Sequence, residues 1–193
     1  MNIYKKYITE NNDRKAIDLN PNIFHSNLLL SSILIEQKKL QEAEQTLRKA
    51  IELKTDFFQP HLNLGAILKE LGRDKEAEIS TRKAIELNPN LFNSHFLLGT
   101  ILLEQNKLQE AAQSLRQCIE LKPDFFKAHL ILGSVLKDLG KIQEAEQAIR
   151  KSIDLNPNIV NSYFLLANIL IEKKDLKGAK TSLSKSVELK PDF

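Results

Sequence analysis

A single unit is repeated along this sequence at a fixed period. A turn motif, in which Leu and a polar residue precede Pro or Thr, recurs at equal spacing at Pro21, Thr55, Pro89, Pro123, Pro157 and Pro191. The period is thirty-four, the difference between positions 89 and 55. A fixed period of this length is typical of solenoids, in which one small unit is stacked many times. The chain is therefore expected to bury the apolar side of each unit against the next unit.

Each unit contains two runs of apolar residues at helical spacing, separated by a short polar break. In the central unit these runs cover residues 92–102 and 108–121. Pro123 ends the second run, because its ring removes an amide donor and disfavours helix in the preceding residue. The pattern predicts two helices of about 14 residues per unit, each about 20 Å long.

The central unit resembles the tetratricopeptide repeat, whose pattern sets Leu-Gly, Ala and Pro at fixed offsets among aromatic positions. Here the pattern consists of His95, Leu98, Gly99, Leu102, Ala111, Leu115, Cys118 and Pro123, so His and Leu replace most aromatic residues. The resemblance implies an all-α, right-handed superhelical solenoid of antiparallel helix pairs. We predict five complete repeats, numbered 1 to 5, at residues 24–57, 58–91, 92–125, 126–159 and 160–193.

The two ends of the predicted array leave alternatives open. Residues 1–23 contain a segment, 14–21, that copies the end of a second helix, but the match fails upstream. They are either a degenerate half-repeat that caps repeat 1 or the remnant of a decayed or truncated array. In repeat 5, Ser182, Ser184, Lys185 and Ser186 make the last helix more polar, which suits an outer face. Two alternatives to a polar outer face are that the chain is cut from something longer and that its end pairs with another copy.

Odd and even repeats differ in the turn between their two helices. Gly72 and Gly140 occupy this turn in repeats 2 and 4, where a left-handed residue can close a helix. Odd repeats have Lys39, Lys107 and Asp175 in the same region. Repeat 1 is also more similar to repeat 3 than to repeat 2. The sequence is therefore expected to be duplicated in blocks of two repeats.

Composition narrows the function without naming it. The net charge of +3 is too small to indicate nucleic-acid binding. The single cysteine, Cys118, excludes an internal disulfide and favours a reducing, cytoplasmic location. Cys118 takes the place of a small residue in the second helix, so we interpret it as a packing residue. No apolar stretch is long enough to span a membrane, and the first residues do not form a secretory signal.

Residues that could support chemistry are few. The sequence lacks the nucleotide-binding, metalloprotease and serine-hydrolase motifs, so we predict neither catalysis nor a cofactor. His61, His95 and His129 are one full period apart, so each belongs to a different repeat. They are too widely separated to ligate one zinc ion, and we expect them to fill an aromatic packing position instead.

The first helix of each repeat lines the concave side in the family that this unit resembles. The fifth residue of each repeat would form an apolar floor there, consisting of Leu28, Leu62, Phe96, Leu130 and Phe164. Further candidates on the same face are Lys69, Thr100, Leu103, Lys137 and Asn168. An exposed apolar strip of this kind usually marks a partner site. In the alternative interpretation, the same Leu and Phe side chains pack between neighbouring repeats.

The sequence thus predicts a non-catalytic protein-interaction scaffold that binds a peptide or helix in a concave groove. One alternative is that the chain is the repeat segment of, or an adaptor for, a larger transferase or hydroxylase. Another is self-association through the open ends of the array. No nucleic-acid partner and no membrane insertion are expected.

Overall fold

The computed structural model describes residues 24–190, so the predicted half-repeat at residues 1–23 lies outside the described residues. Within residues 24–190 the structure has ten α-helices and no strand. They are α1 (Phe24–Glu36), α2 (Leu40–Leu53), α3 (Phe58–Glu70), α4 (Asp74–Leu87), α5 (Phe92–Glu104), α6 (Leu108–Leu121), α7 (Phe126–Asp138), α8 (Ile142–Leu155), α9 (Val160–Glu172) and α10 (Leu176–Leu189).

The helices follow the predicted period. Every first helix has 13 residues and every second helix has 14. The two helices of each repeat pack against each other. The all-α array of helix pairs is therefore confirmed, whereas the repeat boundaries themselves stay a prediction.

The chain divides into two compact units, residues 1–89 and 90–193. In the N-terminal unit, α2 of repeat 1 packs against α3 of repeat 2. In the C-terminal unit, α6 packs against α7 and α8 against α9, so repeats 3, 4 and 5 stack in order. The first helices α5, α7 and α9 also contact one another in sequence. Each second helix that is followed by a repeat in the same unit is thus covered by the next first helix.

A glycine lets the two helices of repeats 2, 3 and 4 approach closely. A Cβ placed on Gly99 would lie 2.7 Å from Cγ of Leu115, and one on Gly133 would lie 2.4 Å from Cδ1 of Ile149. Both partners are completely buried. Because protein interiors are close-packed, the missing side chain sets the distance between the helices.

Small residues also mark the contact between successive repeats. The hydroxyls of Ser152 in α8 and Ser162 in α9 lie 3.3 Å apart, and both residues are fully buried. Ser152 is the twenty-seventh residue of repeat 4 and Ser162 the third of repeat 5. The other repeats also have small or compact residues at these two positions. At the twenty-seventh position they are Ala50, Ala84, Cys118 and Ser186, and at the third position they are Ser26, Pro60, Ser94 and Ala128.

Cys118 is buried as a free thiol at this small-residue position. Burial raises the pKa of its thiol to about 11, and the nearby charge of Lys122 opposes that rise only in part. A thiol with so high a pKa is almost entirely protonated near neutral pH and is a poor nucleophile. This environment supports the interpretation of Cys118 as a packing residue.

The turn between the two helices contains a left-handed residue in every repeat. Gly72 and Gly140 have φ of +72°, as the sequence indicated for even repeats. In odd repeats the left-handed residues are Lys38, Asn106 and Lys174, with φ near +60°. They lie one position before the residues that the sequence suggested. Those residues are the N-caps of the second helices instead, and Asp175, for example, accepts a hydrogen bond from the backbone N–H of Gly178.

The last helix is less polar on its outside than its sequence suggested. Ser182 and Ser186 are buried, and the Ser182 hydroxyl donates to the Gly178 carbonyl. Neither serine can therefore contribute to a polar outer face. Leu176, Leu183 and Val187 of the same helix remain exposed to solvent.

Candidate functional site

The predicted binding face is best described in the C-terminal unit, where three first helices adjoin. Phe96, Leu130 and Phe164 each occupy the fifth position of their repeat. Phe96 and Leu130 are partly exposed, and Phe164 retains 45% of its accessible surface. All three side chains keep some accessible surface, whereas the alternative interpretation has them packed between neighbouring repeats. They form a row of large apolar side chains at one level of α5, α7 and α9.

Phe96 is supported from the side by other aromatic rings. Its ring meets that of Phe125 edge to face, with the two centroids 4.9 Å apart. Phe125 also packs against Phe92 at 5.3 Å, and the ammonium of Lys122 lies 4.7 Å above the Phe92 ring. Such contacts restrict the rotamer of Phe96, so its partly exposed ring is held in place for a partner.

The polar candidates of this face are also partly exposed. The hydroxyl of Thr100 donates to the Leu97 carbonyl at 2.8 Å, and Asn168 occupies the same position on α9. Lys137 lies 3.4 Å from Glu172 of the next repeat and 3.9 Å from Asp138. Its charge is therefore compensated within the face. The Leu103 side chain adds apolar area at the equivalent position on α5.

The N-terminal unit carries a shorter version of the same face. Leu28, Leu62 and Lys69 are partly exposed there on the first helices α1 and α3. Phe24 and Phe57 pack edge to face at 5.1 Å, and Lys54 lies 4.8 Å above the Phe24 ring. This Lys-Phe-Phe arrangement reproduces that of Lys122, Phe92 and Phe125 in repeat 3, consistent with a duplicated pair of repeats.

Charge networks connect the second helices to the turns of the neighbouring repeats. Arg73 donates to Glu44 of the preceding repeat at 2.7 Å and to Glu76 at 2.6 Å. The hydrogen bonds from Arg73 lower the pKa of Glu76, and those to Glu76 and Glu44 raise the pKa of Arg73. In repeats 4 and 5, Lys173 similarly donates to Glu146 of the preceding repeat. These ion pairs link successive repeats.

Two of the three periodic histidines bind backbone carbonyls at the junctions between repeats. His129 Nε2 lies 2.9 Å from the Pro123 carbonyl oxygen, and His61 Nε2 lies 3.4 Å from that of Thr55. Burial lowers the pKa of His61. These contacts support the packing interpretation of the histidines. Residues 24–190 contain no cluster of three or more His, Cys, Asp or Glu residues arranged to hold a metal ion. In the same range no helix has the length and apolar character needed to span a membrane.

A second apolar surface, which the sequence did not identify by residue, lies on the outer side of repeat 5. Ile171, Leu176, Leu183 and Val187 line a shallow hollow of about 580 Å³ there, together with Ala179 and Lys180. We call this surface the end face. The repeat period could have identified this surface, because Leu183 occupies the same position in its repeat as Leu115 and Ile149 in repeats 3 and 4. Those two residues are completely buried.

Family models match the sequence over most of the described helices. The model for the tetratricopeptide repeat matches residues 24–57 and 160–193. The model for subunit 3 of the anaphase-promoting complex, or cyclosome, matches residues 70–152. A comparison of the sequence with curated proteins finds no significant match.

Solved structures share the fold at low sequence identity. YrrB, described as a tetratricopeptide repeat protein with an unusual peptide-binding site, superposes with a TM-score of 0.83 at 20% identity, covering 96% of this chain and 95% of YrrB. MamA from Desulfovibrio magneticus RS-1, beginning at residue 41, gives 0.83 at 22% identity over 87% of this chain and 95% of that one.

A third similar structure is the Cut9–Hcn1 hetero-tetramer of the anaphase-promoting complex, with a TM-score of 0.76 at 19% identity. That match covers 95% of this chain and 37% of the other. The period, the helix pairs and the tetratricopeptide repeat model agree on one family, and the solved structures share its fold. The chain is a tetratricopeptide repeat protein.

Proposed function

We propose that this protein is a non-catalytic interaction scaffold that binds a peptide or helix along the first helices of its repeats. The observation that carries the proposal is the row of Phe96, Leu130 and Phe164. Large apolar side chains at one level of three adjoining helices remain open to solvent, and Phe164 is 45% exposed. Soluble proteins rarely leave such a row uncovered unless it serves as an interaction site.

The chemistry of this face favours a partner with apolar anchors. Thr100 and Asn168 place small polar groups beside the row, and Lys137 is paired with Glu172. Aromatic side chains held in place by neighbouring rings dominate many interfaces. An amphipathic helix can place residues three, four and seven apart on such a surface, and an extended peptide can do so with alternate residues.

The structural relatives support a binding role without identifying the partner. YrrB is described as having a peptide-binding site, and Cut9 forms an assembly with Hcn1. The family match to a subunit of the anaphase-promoting complex also comes from a multiprotein assembly. We propose a cytoplasmic location as well, on the basis of the single free thiol of Cys118.

The proposal can be tested by selecting peptides against the purified protein and measuring their affinities by fluorescence anisotropy. Phe164→Asp and Phe96→Ala should each weaken binding at least tenfold, since buried aromatic anchors contribute about 2 kcal/mol or more. Ile79→Asp is the matched control, because Ile79 is 70% exposed on the second helix α4. Circular dichroism spectra must show that all three variants retain their helices.

Two results would contradict the proposal. Selected peptides whose affinity is unchanged by both Phe96→Ala and Phe164→Asp would locate binding elsewhere. If affinity purification instead recovers a single transferase or hydroxylase, and its binding does not depend on these residues, an adaptor role for a larger enzyme would replace the peptide scaffold.

A further inference from the structure

A lone cation lies beside the middle of the apolar row on the first helices. Histidines aside, every other charged residue of the five first helices is at the twelfth or thirteenth position of its repeat. Lys127 is at the second position, one turn before Leu130 and on the same face of α7. The equivalent residues on the adjoining helices α5 and α9 are Asn93 and Asn161. The N-terminal half of this face thus carries one charge, and it is positive.

The ammonium of Lys127 has no acidic partner in the part of the chain that the structure describes. Lys127 is exposed, and no carboxylate among residues 24–190 lies within salt-bridge distance of it. This includes Asp124, which precedes it by three residues. Lys137, at the other end of α7, pairs with Glu172 at 3.4 Å. The charge of Lys137 is therefore compensated within the protein, whereas that of Lys127 remains available to a partner.

The turn into α7 also differs in charge from the turns into its neighbours. The thirty-first and thirty-third residues of repeat 3 and the second residue of repeat 4 are Lys122, Asp124 and Lys127. The same positions at the turn into α9 are all asparagine, namely Asn156, Asn158 and Asn161, and so are those at the turn into α5. The ammonium of Lys122 already lies 4.7 Å above the Phe92 ring. Lys127 is thus the cation of this turn that no internal contact engages.

The stability of α7 does not explain a lysine at this position. Lys127 is the second residue of the helix, whose first turn contains no acidic residue and whose N-cap, Phe125, makes no side-chain hydrogen bond to the helix. A cation in the first turn is unfavourable, because the open N–H groups there already carry partial positive charge. A residue that breaks a local rule without a structural gain is commonly there for function.

We propose that Lys127 makes the groove selective for a segment with an aspartate or glutamate side chain beside its central apolar anchor. This inference rests on the proposed function, since the central anchor is the residue that contacts Leu130, between Phe96 and Phe164. The partner carboxylate pairs with Lys127 on the side of the row that is nearer the N-terminal ends of the first helices. A segment with the same anchors and a basic residue at that place is repelled by Lys127 and binds less tightly.

Two charge-reversal variants provide the contrast that the test needs. Lys127→Glu places an acid in the first turn of α7, where it favours the helix, so its melting temperature should equal or exceed that of the native protein. Lys151→Glu is the matched control. Lys151 is exposed on the second helix α8, and no carboxylate among the described residues is within salt-bridge distance of it either.

The test selects random peptides displayed on phage against the full-length native protein and both variants. The native protein and Lys151→Glu should enrich the same sequences, with Asp or Glu close to an apolar anchor, whereas Lys127→Glu should enrich Lys or Arg there. An enriched peptide is then synthesised with an amidated C-terminus. Replacing its acid by the amide should weaken binding to the native protein roughly two- to fivefold, the effect of one exposed ion pair. High salt should remove that difference.

Three results would overturn this inference: the native protein and Lys127→Glu enrich the same charges, the amide substitution leaves the affinity for the native protein unchanged, or the acidic preference is lost in Lys151→Glu. Phe96→Ala and Phe164→Asp separate it from the proposed function. If both weaken binding while Lys127→Glu changes nothing, the groove stands and its selectivity for acid is wrong. If no peptide is enriched, or if neither variant weakens binding, both proposals fail.

Discussion

Replacing Gly99 with Ala tests the close approach of α5 and α6. The new Cβ would lie 2.7 Å from Cγ and 3.0 Å from Cδ2 of Leu115, whereas carbon atoms prefer separations of about 3.5–4.0 Å. Leu115 has no accessible surface and Cγ is its branch point, so the whole side chain must move by about 0.8 Å or the helices must separate. Overpacking of this kind usually costs about 1–3 kcal/mol.

A gain in helix propensity opposes this cost. Alanine is more favourable than glycine in a helix interior by about 1 kcal/mol, so the net destabilisation of Gly99→Ala should be about 0–2 kcal/mol. A double-mutant cycle with Leu115→Ala separates the two effects. Leu115→Ala alone should cost about 2–5 kcal/mol, because it leaves a cavity in the core. In the double variant the methyl group added by Gly99→Ala enters that space, and about 1–3 kcal/mol of the summed loss should be recovered.

The assay is urea denaturation followed by far-UV circular dichroism on the four proteins of the cycle. Ala167→Gly is the control, since repeat 5 already has Ala at this position and the equivalent of Leu115 there, Leu183, is exposed. It should lose about 1 kcal/mol through helix propensity, and a further amount because the buried methyl group of Ala167 is removed. If the effects of Gly99→Ala and Leu115→Ala add to within about 0.5 kcal/mol, the two sites do not interact and the reasoning is refuted.

Three further predictions concern other positions. Burial raises the pKa of the Cys118 thiol to about 11 from an ordinary value near 9, so the stability that the neutral thiol contributes should be intact below pH 9 and lost as the pH rises towards 11. Over that interval the free energy of unfolding of the native protein, relative to that of Cys118→Ala, should fall by on the order of 2 kcal/mol. A difference that stays constant with pH would contradict this prediction. The hydrogen bond from Lys173 lowers the pKa of Glu146, so this pair should stabilise the fold at neutral pH and lose its effect as the pH falls through the lowered pKa. In thermal melts, the melting temperature of Glu146→Gln should therefore fall less on acidification than that of the native protein. An equal fall in both proteins would argue against the pair. Lys174→Gly should raise the free energy of unfolding by about 1 kcal/mol, because Lys174 has a φ of +63° that glycine adopts without strain. Asn106→Gly should raise it less, because Asn tolerates that conformation. If both variants have the same urea midpoint as the native protein, the assignment of strain is refuted.

The helix pairs were predictable because local signals coincide with the period. Apolar residues at helical spacing, a proline such as Pro123 after the second helix and a small residue such as Gly99 within the first all recur from repeat to repeat. Any one repeat would give an ambiguous pattern. Five aligned copies of the pattern predict the same helix bounds five times. The structure shows a first helix of 13 residues and a second helix of 14 residues in every repeat.

The left-handed turn residue was missed by one position in odd repeats. Gly72 and Gly140 identified it in even repeats, and moving one full period along the chain leads directly to Lys38, Asn106 and Lys174. Residue type alone misled, because lysine rarely adopts a positive φ. The requirement comes from the geometry of the helix pair and not from the residue that fills the turn.

Contacts between repeats were the least accessible to sequence reasoning. The sequence identified Lys137 only as a candidate on the binding face, whereas the structure places its ammonium 3.4 Å from Glu172 of the next repeat. The support of Phe96 by Phe125, the last residue of the same repeat, likewise depends on how the chain folds back after the second helix. These contacts join residues that are far apart in the sequence, and they determine which side chains of the candidate site stay open.

The most direct test of the account follows individual methyl groups by NMR while a peptide selected for groove binding is added to the protein. Leu103 and Leu130 on the first helices should shift in proportion to occupancy, together with the ring resonances of Phe164. Leu176 and Val187 on the end face should not move. Shifts at Leu176 and Val187 with none at Leu103 and Leu130 would contradict the proposal that the first helices form the binding surface.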